Sequence, residues 1–316
     1  MGFELFSVFF SILVFPGLLF LSVFSLFAEF FDRKVYARLQ NRQGPPWFQP
    51  LADFIKLLGK ETIFPDGSDK KMFRLLPVFA LAAAVTTILY IPILGINALY
   101  AFQGDLIIVM YFLTIPTVTF FLAGWYSKSS YSSIGAVRTL TQLFGYEVPL
   151  FMALLGPALL ADSWSISDIS KFYGEHPLCS LFNIIGFVVA IISVQGKLER
   201  VPFDSPDAET EIVAGVFTEY SGKLLAIFRM TIDIEMVVVS ALLAAIFIPV
   251  FTTILALGIL LFIIKTLFVV FILSLIRALF ARLRIEQMVR FSWYYLAPLA
   301  ILQIFIDLVV KGVLLR

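Results

Sequence analysis

Residues 199–223 read ERVPFDSPDAETEIVAGVFTEYSGK, the one stretch where acids crowd together between long apolar runs. Ser205 can cap a helix, Pro206 suits its first turn, and Asp207 favours the positive end of its dipole. On such a helix Asp207 and Glu211 lie near one face, Glu209 lies opposite, and Glu219 sits roughly 80° round from Glu211. Gly215 and Gly222 leave thin places where another backbone, or a file of water, can come close. The plainer reading is a solvated acidic loop. Against it, the acids alternate with Ile212, Val213, Val216 and Phe217, which gain nothing from water.

Composition fixes the class. Of 316 residues 60% are hydrophobic, only 14% are charged and 35 are Phe, outside the range of soluble domains. The expected fold is an all-α polytopic membrane protein, with residues 1–316 forming a single integral membrane domain. One cysteine, Cys179, and one histidine, His176, give neither an internal disulfide nor a Cys- or His-based metal cluster. A net charge of +1 argues against a nucleic-acid partner. The N-terminus has no basic n-region or small-residue cleavage site, and reads as a retained first helix.

Apolar runs long enough for a bilayer of roughly 30 Å fall at about 3–27, 73–95, 105–124, 141–161, 178–196, 216–248, 251–275 and 291–314. That predicts about eight transmembrane helices. The sixth and seventh form one apolar block too long for a single helix, and Pro249 with Thr252 and Thr253 predicts a tight hairpin between them. Cations crowd the loop after the first run and recur after the third, fifth and seventh, whereas the alternate loops hold only Lys171. By the positive-inside rule the odd loops are cytoplasmic and both termini lie outside a plasma membrane. The acidic segment, 197–222, is then cytoplasmic.

The first cytoplasmic loop, 29–72, contains an amphipathic helix. From Pro50 to Glu61, Leu51, Phe54, Ile55 and Leu58 keep helical spacing while Asp53, Lys56 and Lys60 keep the other face polar. Such a helix lies flat at the membrane interface, either tidying the loop or serving as a platform for a soluble partner. The basic segment 277–290 extends that platform.

Ionisable residues inside the apolar runs each cost on the order of 3 kcal/mol at a helix centre if left alone. Arg229 and Asp233 are one turn apart and can pair. If the chain turns near Pro249, Lys265 reaches the depth of Glu235 and can pair with it or with Asp233. Glu147, followed by Pro149, has no local cation. With Glu209, Glu211 and Glu219 it is a candidate for a proton path, because unpaired carboxylates at intermediate depth can exchange protons through water.

The runs DRKVYARLQNRQGPPWFQPLADFIKLLGKE, IGAVRTLTQLFGYEVPL and ERVPFDSPDAETEIVAGVFTEYSGKLLAIF resemble the three hallmark stretches of the NuoH family of complex I. That family comprises the eight-helix membrane subunit of NADH-quinone oxidoreductases and its relatives in energy-converting membrane-bound hydrogenases. The resemblance implies a coupling and anchoring subunit without catalytic residues, cofactors or metals of its own. Glu147 and the acids Asp204, Asp207, Glu209, Glu211 and Glu219 match those the family assigns to a water-filled proton route. Arg38, Arg42, Asp53, Lys56 and Glu61 match polar positions at the junction with the peripheral arm. The implied partners are soluble hydrogenase-like and iron-sulfur subunits on the cytoplasmic face, antiporter-like membrane subunits and membrane lipid. Iron-sulfur clusters, with or without nickel-iron, belong to those partners.

One departure bears on the branch. Quinone-reducing members have a longer loop after the first Gly-Pro; here Gly44-Pro45-Pro46-Trp47 runs straight into the interfacial helix, similar to hydrogenase-type members. The branch so implied takes electrons from ferredoxin and reduces protons or sulfur compounds, with a quinone-site subunit as the alternative. A stand-alone secondary transporter would show inverted repeats and broken helices, and the halves share no similarity. A simple anchor has no use for acids at depth.

Overall fold

The computed structural model describes residues 2–314 apart from Ile96, Pro249, Phe251, Thr253 and Ile254, and not the side chains of residues 2–5, Glu209, Leu255 and Leu314. Among the described residues the chain is helical with no strand: α1 (Gly2–Leu13), α2 (Leu18–Leu39), α3 (Gln49–Gly59), α4 (Lys70–Thr87), α5 (Asp105–Tyr126), α6 (Ser130–Ala161), α7 (Ile166–Glu175), α8 (Pro177–Phe182), α9 (Ile184–Lys197), α10 (Glu209–Ile212), α11 (Gly222–Phe247), α12 (Leu255–Leu279), α13 (Ile285–Phe291) and α14 (Ala297–Leu314). Seven helical spans are long and apolar enough to cross a membrane, and α9 is a shorter apolar helix. The polytopic all-α architecture read from composition is therefore the one observed.

Helix α11 is the axis of the bundle. Leu224 to Ile246 bury residues on nearly every side, as a helix that is apolar all round must. Helices α2, α4 and α12 pack against it. From α2, Leu21, Phe24, Ser25, Ala28 and Asp32 turn one helical stripe inward. A second layer pairs α4 with α5 and sets α6 against α9 and α14. A π turn over Ser292–Leu296 joins α13 to α14.

Helix ends differ from the sequence expectation where local chemistry interrupts an apolar run. The first run breaks after Leu13, ahead of Pro16, and α2 then carries on to Leu39, so Arg33 and Arg38 sit on a helix and not in a loop. The fifth run breaks at Asn183 between α8 and α9. Separate helices α11 and α12 replace the single apolar block; Pro249 and Thr253, on which the hairpin was placed, lie outside the described residues.

The largest correction concerns the acidic segment. No helix starts at Ser205 or Pro206; the only α-helical turn is α10, preceded by Ala208. Tertiary contacts hold the chain in another shape. Gln142 donates from Nε2 to the carbonyls of Gly196 and Phe203, each at 2.7 Å, and Arg138 reaches the Ser205 carbonyl at 3.3 Å. Gly215, at φ 50°, passes so close to the Pro206 carbonyl that a Cβ would lie 1.9 Å from its oxygen. Gly222, at φ 57°, passes the Glu61 carbonyl in the same way, so α11 begins at 222 and not at 216. The close backbone approaches expected at these two glycines are both present.

Candidate functional site: a charged cavity at one end of the bundle

A cavity of about 770 Å³ opens between α2, α3, α11 and the segment that follows α9. Helix α2 contributes Leu26, Glu29 and Arg33, and α3 contributes Pro50, Asp53, Phe54 and Leu57. Both sets follow helical spacing, so each helix gives the cavity one face. On α3 this leaves Leu51, Ile55 and Leu58 exposed beside Trp47. The apolar stripe is thus split: Phe54 turns to the bundle, and the other three point outward as an interfacial helix requires.

Seven acids and six basic side chains line the cavity, and the near balance of charge is realised as several groups of ion pairs. Arg33 bridges Glu29 and, at 3.0 Å, Asp53. Arg200 reaches Glu29 at 3.3 Å and Asp32 at 3.0 Å, and Arg277 closes on Asp32 at 3.0 Å. Asp32 is fully buried and also accepts from the Ser274 hydroxyl at 2.6 Å. Deeper in the bundle, Lys197 pairs with Glu235 at 2.6 Å and donates to the Leu113 carbonyl. At the rim Arg282 holds Asp204 at 2.9 Å and Glu211 at 3.5 Å, while Arg138 holds Glu211 at 2.6 Å.

Two acids of the segment differ sharply in electrostatic setting. Burial pushes the Glu199 carboxyl up to about 8, and the charge of Asp207 pushes the same way. The Arg138 hydrogen bond, then the charge of Arg282, hold Glu211 below the usual carboxylate range. Glu199 can therefore take up and release a proton near neutral pH, and Glu211 stays ionised. At Arg200 burial opposes the charge, but Asp32 and Glu29 outweigh it and move its pKa upward.

The residues singled out from sequence divide accordingly. Asp53, Asp204, Asp207, Arg229, Asp233 and Glu235 line the cavity. Glu211 sits at its rim, and Glu219 is half-buried nearby in sequence but not on its wall. Glu147 is half-buried on α6, within electrostatic reach of Lys197. Arg38, Arg42, Lys56 and Glu61 are exposed. Arg229 turns to Asp207, 4.0 Å away, and not to Asp233. Lys265 pairs with neither Glu235 nor Asp233: Lys197 has taken Glu235, and Lys265 donates to the Ile248 carbonyl at 3.3 Å.

The sequence reading passes over Glu29, Asp32 and Glu199, takes Lys197 and Arg200 only as loop cations, and assigns Arg277 and Arg282 to the basic platform. A signal for the first two was present. Glu29, Asp32 and Arg33 end an apolar run at helical spacing, so a carboxylate face continues the buried stripe of α2.

The profile of the family described as NADH dehydrogenase matches residues 11–308. The chain belongs to this family. The NuoH membrane subunit of the NADH-quinone oxidoreductase of Brevibacillus brevis is 36% identical over 310 residues, covering 91% of this chain and 88% of that one. Subunit 8 of the Thermus thermophilus enzyme is 36% identical over 306 residues, covering 92% of this chain and 83% of the relative. Among solved structures, a chain of the archaeal membrane-bound sulfane sulfur reductase, a respiratory membrane complex, superposes with a TM-score of 0.81 at 24% identity. The match covers 97% of this chain and 100% of that one, and establishes the fold. This NADH dehydrogenase family member is a membrane subunit of a complex I-related oxidoreductase, and other subunits complete such complexes. Among its described residues no cluster of metal-ligating side chains occurs.

Proposed function

We propose that the chain couples redox chemistry in a peripheral arm to ion movement in neighbouring membrane subunits, through the charged cavity. The observation that carries this reading is the run of ion pairs from Asp53 on the interfacial helix, through Glu29, Arg200 and Asp32, in a cavity that also reaches the Lys197–Glu235 pair inside the bundle. A change of charge or shape above α3 alters the first pairs. Because partners are shared, the rearrangement propagates as competition among carboxylates for a fixed set of cations.

Within this scheme Glu199 is the proton-exchanging acid of the segment, with Asp207 as the neighbour that raises its proton affinity. Glu211 is a fixed anion that holds the segment to α6 through Arg138. Glu147 is the next acid toward the membrane subunits. The exposed Arg38, Arg42, Lys56 and Glu61 are the contact points for soluble iron-sulfur subunits, with the segment facing the cytoplasm and both termini outside.

The short passage from Gly44 to Gln49 supports a ferredoxin-dependent branch, hydrogenase or sulfane sulfur reductase in type, as does full coverage of the sulfane sulfur reductase chain. A quinone-site role is the second reading, favoured by identity of 36% to quinone oxidoreductase subunits. The deciding experiment purifies the complex through a tag on this chain and offers protons, sulfur compounds and quinone as competing acceptors for electrons from ferredoxin. Hydrogen or sulfide formation without quinone supports the first reading. Turnover that requires quinone transfers the assignment to the second.

A further inference from the structure

At the end of the bundle opposite the charged cavity lies a second buried polar cluster, which the coupling role does not use. Helix α6 pairs with the acidic segment through Arg138 and meets α14 at Gly156, about 27 Å further along by helix rise. There Asp307 of α14 is fully buried. No Lys or Arg lies within ion-pair distance of it among the described residues. Lys311, one turn on, is committed to Asp162 at 2.6 Å and the Leu159 carbonyl at 3.0 Å.

The surroundings of Asp307 are oxygens gathered about one point. Gln303 Nε2 stands 2.9 Å from each Asp307 carboxylate oxygen, 2.9 Å from the Phe182 carbonyl and 3.1 Å from Asn183 Oδ1. An amide nitrogen has two hydrogens, so it cannot satisfy four acceptors at once. Its orientation is set from the other side, where Gln303 Oε1 accepts from the Gly186 N–H at 3.2 Å. Gln303 and Asn183 are as buried as Asp307. The Phe182 carbonyl is available because the chain breaks between α8 and α9 at Asn183, which turns the C-terminal end of α8 toward the carboxylate. A Cβ at Gly156 would lie 2.5 Å from Asp307 Oδ2, so α6 is thinned where the acid enters.

We propose that Asp307, Asn183 and the Phe182 carbonyl form a binding site for one monovalent cation, sodium once the oxygens close in from the 2.9–3.1 Å at which they surround the Gln303 amide nitrogen that marks the centre. One carboxylate and neutral oxygens balance a single positive charge, whereas divalent ions draw on more carboxylates. A broken helix that presents carbonyls and its C-terminal end to a buried acid is the arrangement by which membrane proteins hold sodium. Rotation of the Gln303 side chain clears the centre. The site rests on Asp307 and its neighbours alone, and stands or falls independently of the coupling role.

The test uses the complex purified through this chain and reconstituted in lipid, with sodium chloride compared against choline chloride at equal ionic strength and pH. Sodium is expected to slow amide hydrogen exchange across 182–187, with half-saturation weakened at least about tenfold in Asp307→Asn and unchanged in Glu175→Gln, an exposed acid at the end of α7. Equal exchange in sodium and choline overturns the proposal, and so does a sodium effect that survives Asp307→Asn. Should Asp307→Asn fail to assemble, the sodium and choline comparison on the unsubstituted complex decides alone. An infrared carboxylic-acid band from the same chain that Asp307→Asn removes and sodium leaves unchanged identifies a protonated acid and also overturns the cation site.

Discussion

Lys197 Nζ lies 2.6 Å from Glu235 Oε1, and both side chains are only 2% exposed. Lys197 closes α9 and Glu235 sits inside α11, so the pair ties the innermost helix to the one that delivers the acidic segment. Removing one partner strands the other charge in the bundle, a loss of roughly 3–5 kcal/mol, while removing both together costs far less. Glu235→Leu is therefore expected to lower the melting temperature of the assembled complex steeply. Lys197→Met combined with Glu235→Leu recovers most of that loss but leaves ion movement uncoupled from electron transfer. Normal coupling in the double variant would remove the pair from the proposed route.

Glu199 sets a pH dependence whose sign follows from its raised pKa. Its folded-state value of about 8 lies above the ordinary carboxylate value of 4.5. Between those values the folded chain binds more protons than the unfolded one, so stability falls as pH rises through the window. Glu199→Gln keeps the shape and removes the proton. The slope of stability against pH should flatten between those limits, and the alkaline limb of the coupling profile near the same pH should disappear. An unchanged profile in the variant would assign that limb to another group.

How much of this was legible in the sequence depends on the range over which each feature is decided. Spans are local, because the length and apolarity of a run determine them: α5 falls where its run falls and α12 within four residues of it, while α4 stops at Thr87, short of 95, and α6 starts at Ser130, ahead of 141. The acidic segment is not local. Ser205, Pro206 and Asp207 make a sound helix start, yet Gln142 and Arg138, more than sixty positions earlier, bind the Phe203 and Ser205 carbonyls and hold the chain in turns there. Ion pairs were misassigned for the same reason. Arg229 and Asp233 are well spaced on one helix, but Asp207 from the folded-over segment competes for Arg229, and no helical periodicity encodes which segment folds over which helix.

Glu211 tests the division of labour between a fixed anion and a proton carrier. Its pKa is held down by the Arg138 hydrogen bond and then by Arg282, so the anchoring it provides is present above the ordinary carboxylate range and is lost as pH falls through its depressed value. Glu211→Gln is expected to loosen the segment, with faster hydrogen exchange over 204–217, and to weaken coupling equally at every pH above the carboxylate range. A loss of one limb of the pH profile, in place of a uniform decrease, would make Glu211 a proton carrier after all.

Val213 ends α10 at φ 65° and ψ −82°, with its side chain 57% exposed. A β-branched residue in that region is strained, and an exposed isopropyl group returns little packing to offset it. Glycine adopts the same backbone freely at a smaller entropic cost, so Val213→Gly should stabilise the complex by about 1 kcal/mol, read as a rise in melting temperature. Alanine at the same site separates the two contributions, because it removes the branch but keeps the Cβ that objects to positive φ. It should recover only part of the gain. If both variants melt below the unsubstituted complex, the valine side chain has a partner in the assembly that outweighs its strain, and this tip of the segment is a contact surface for a neighbouring subunit.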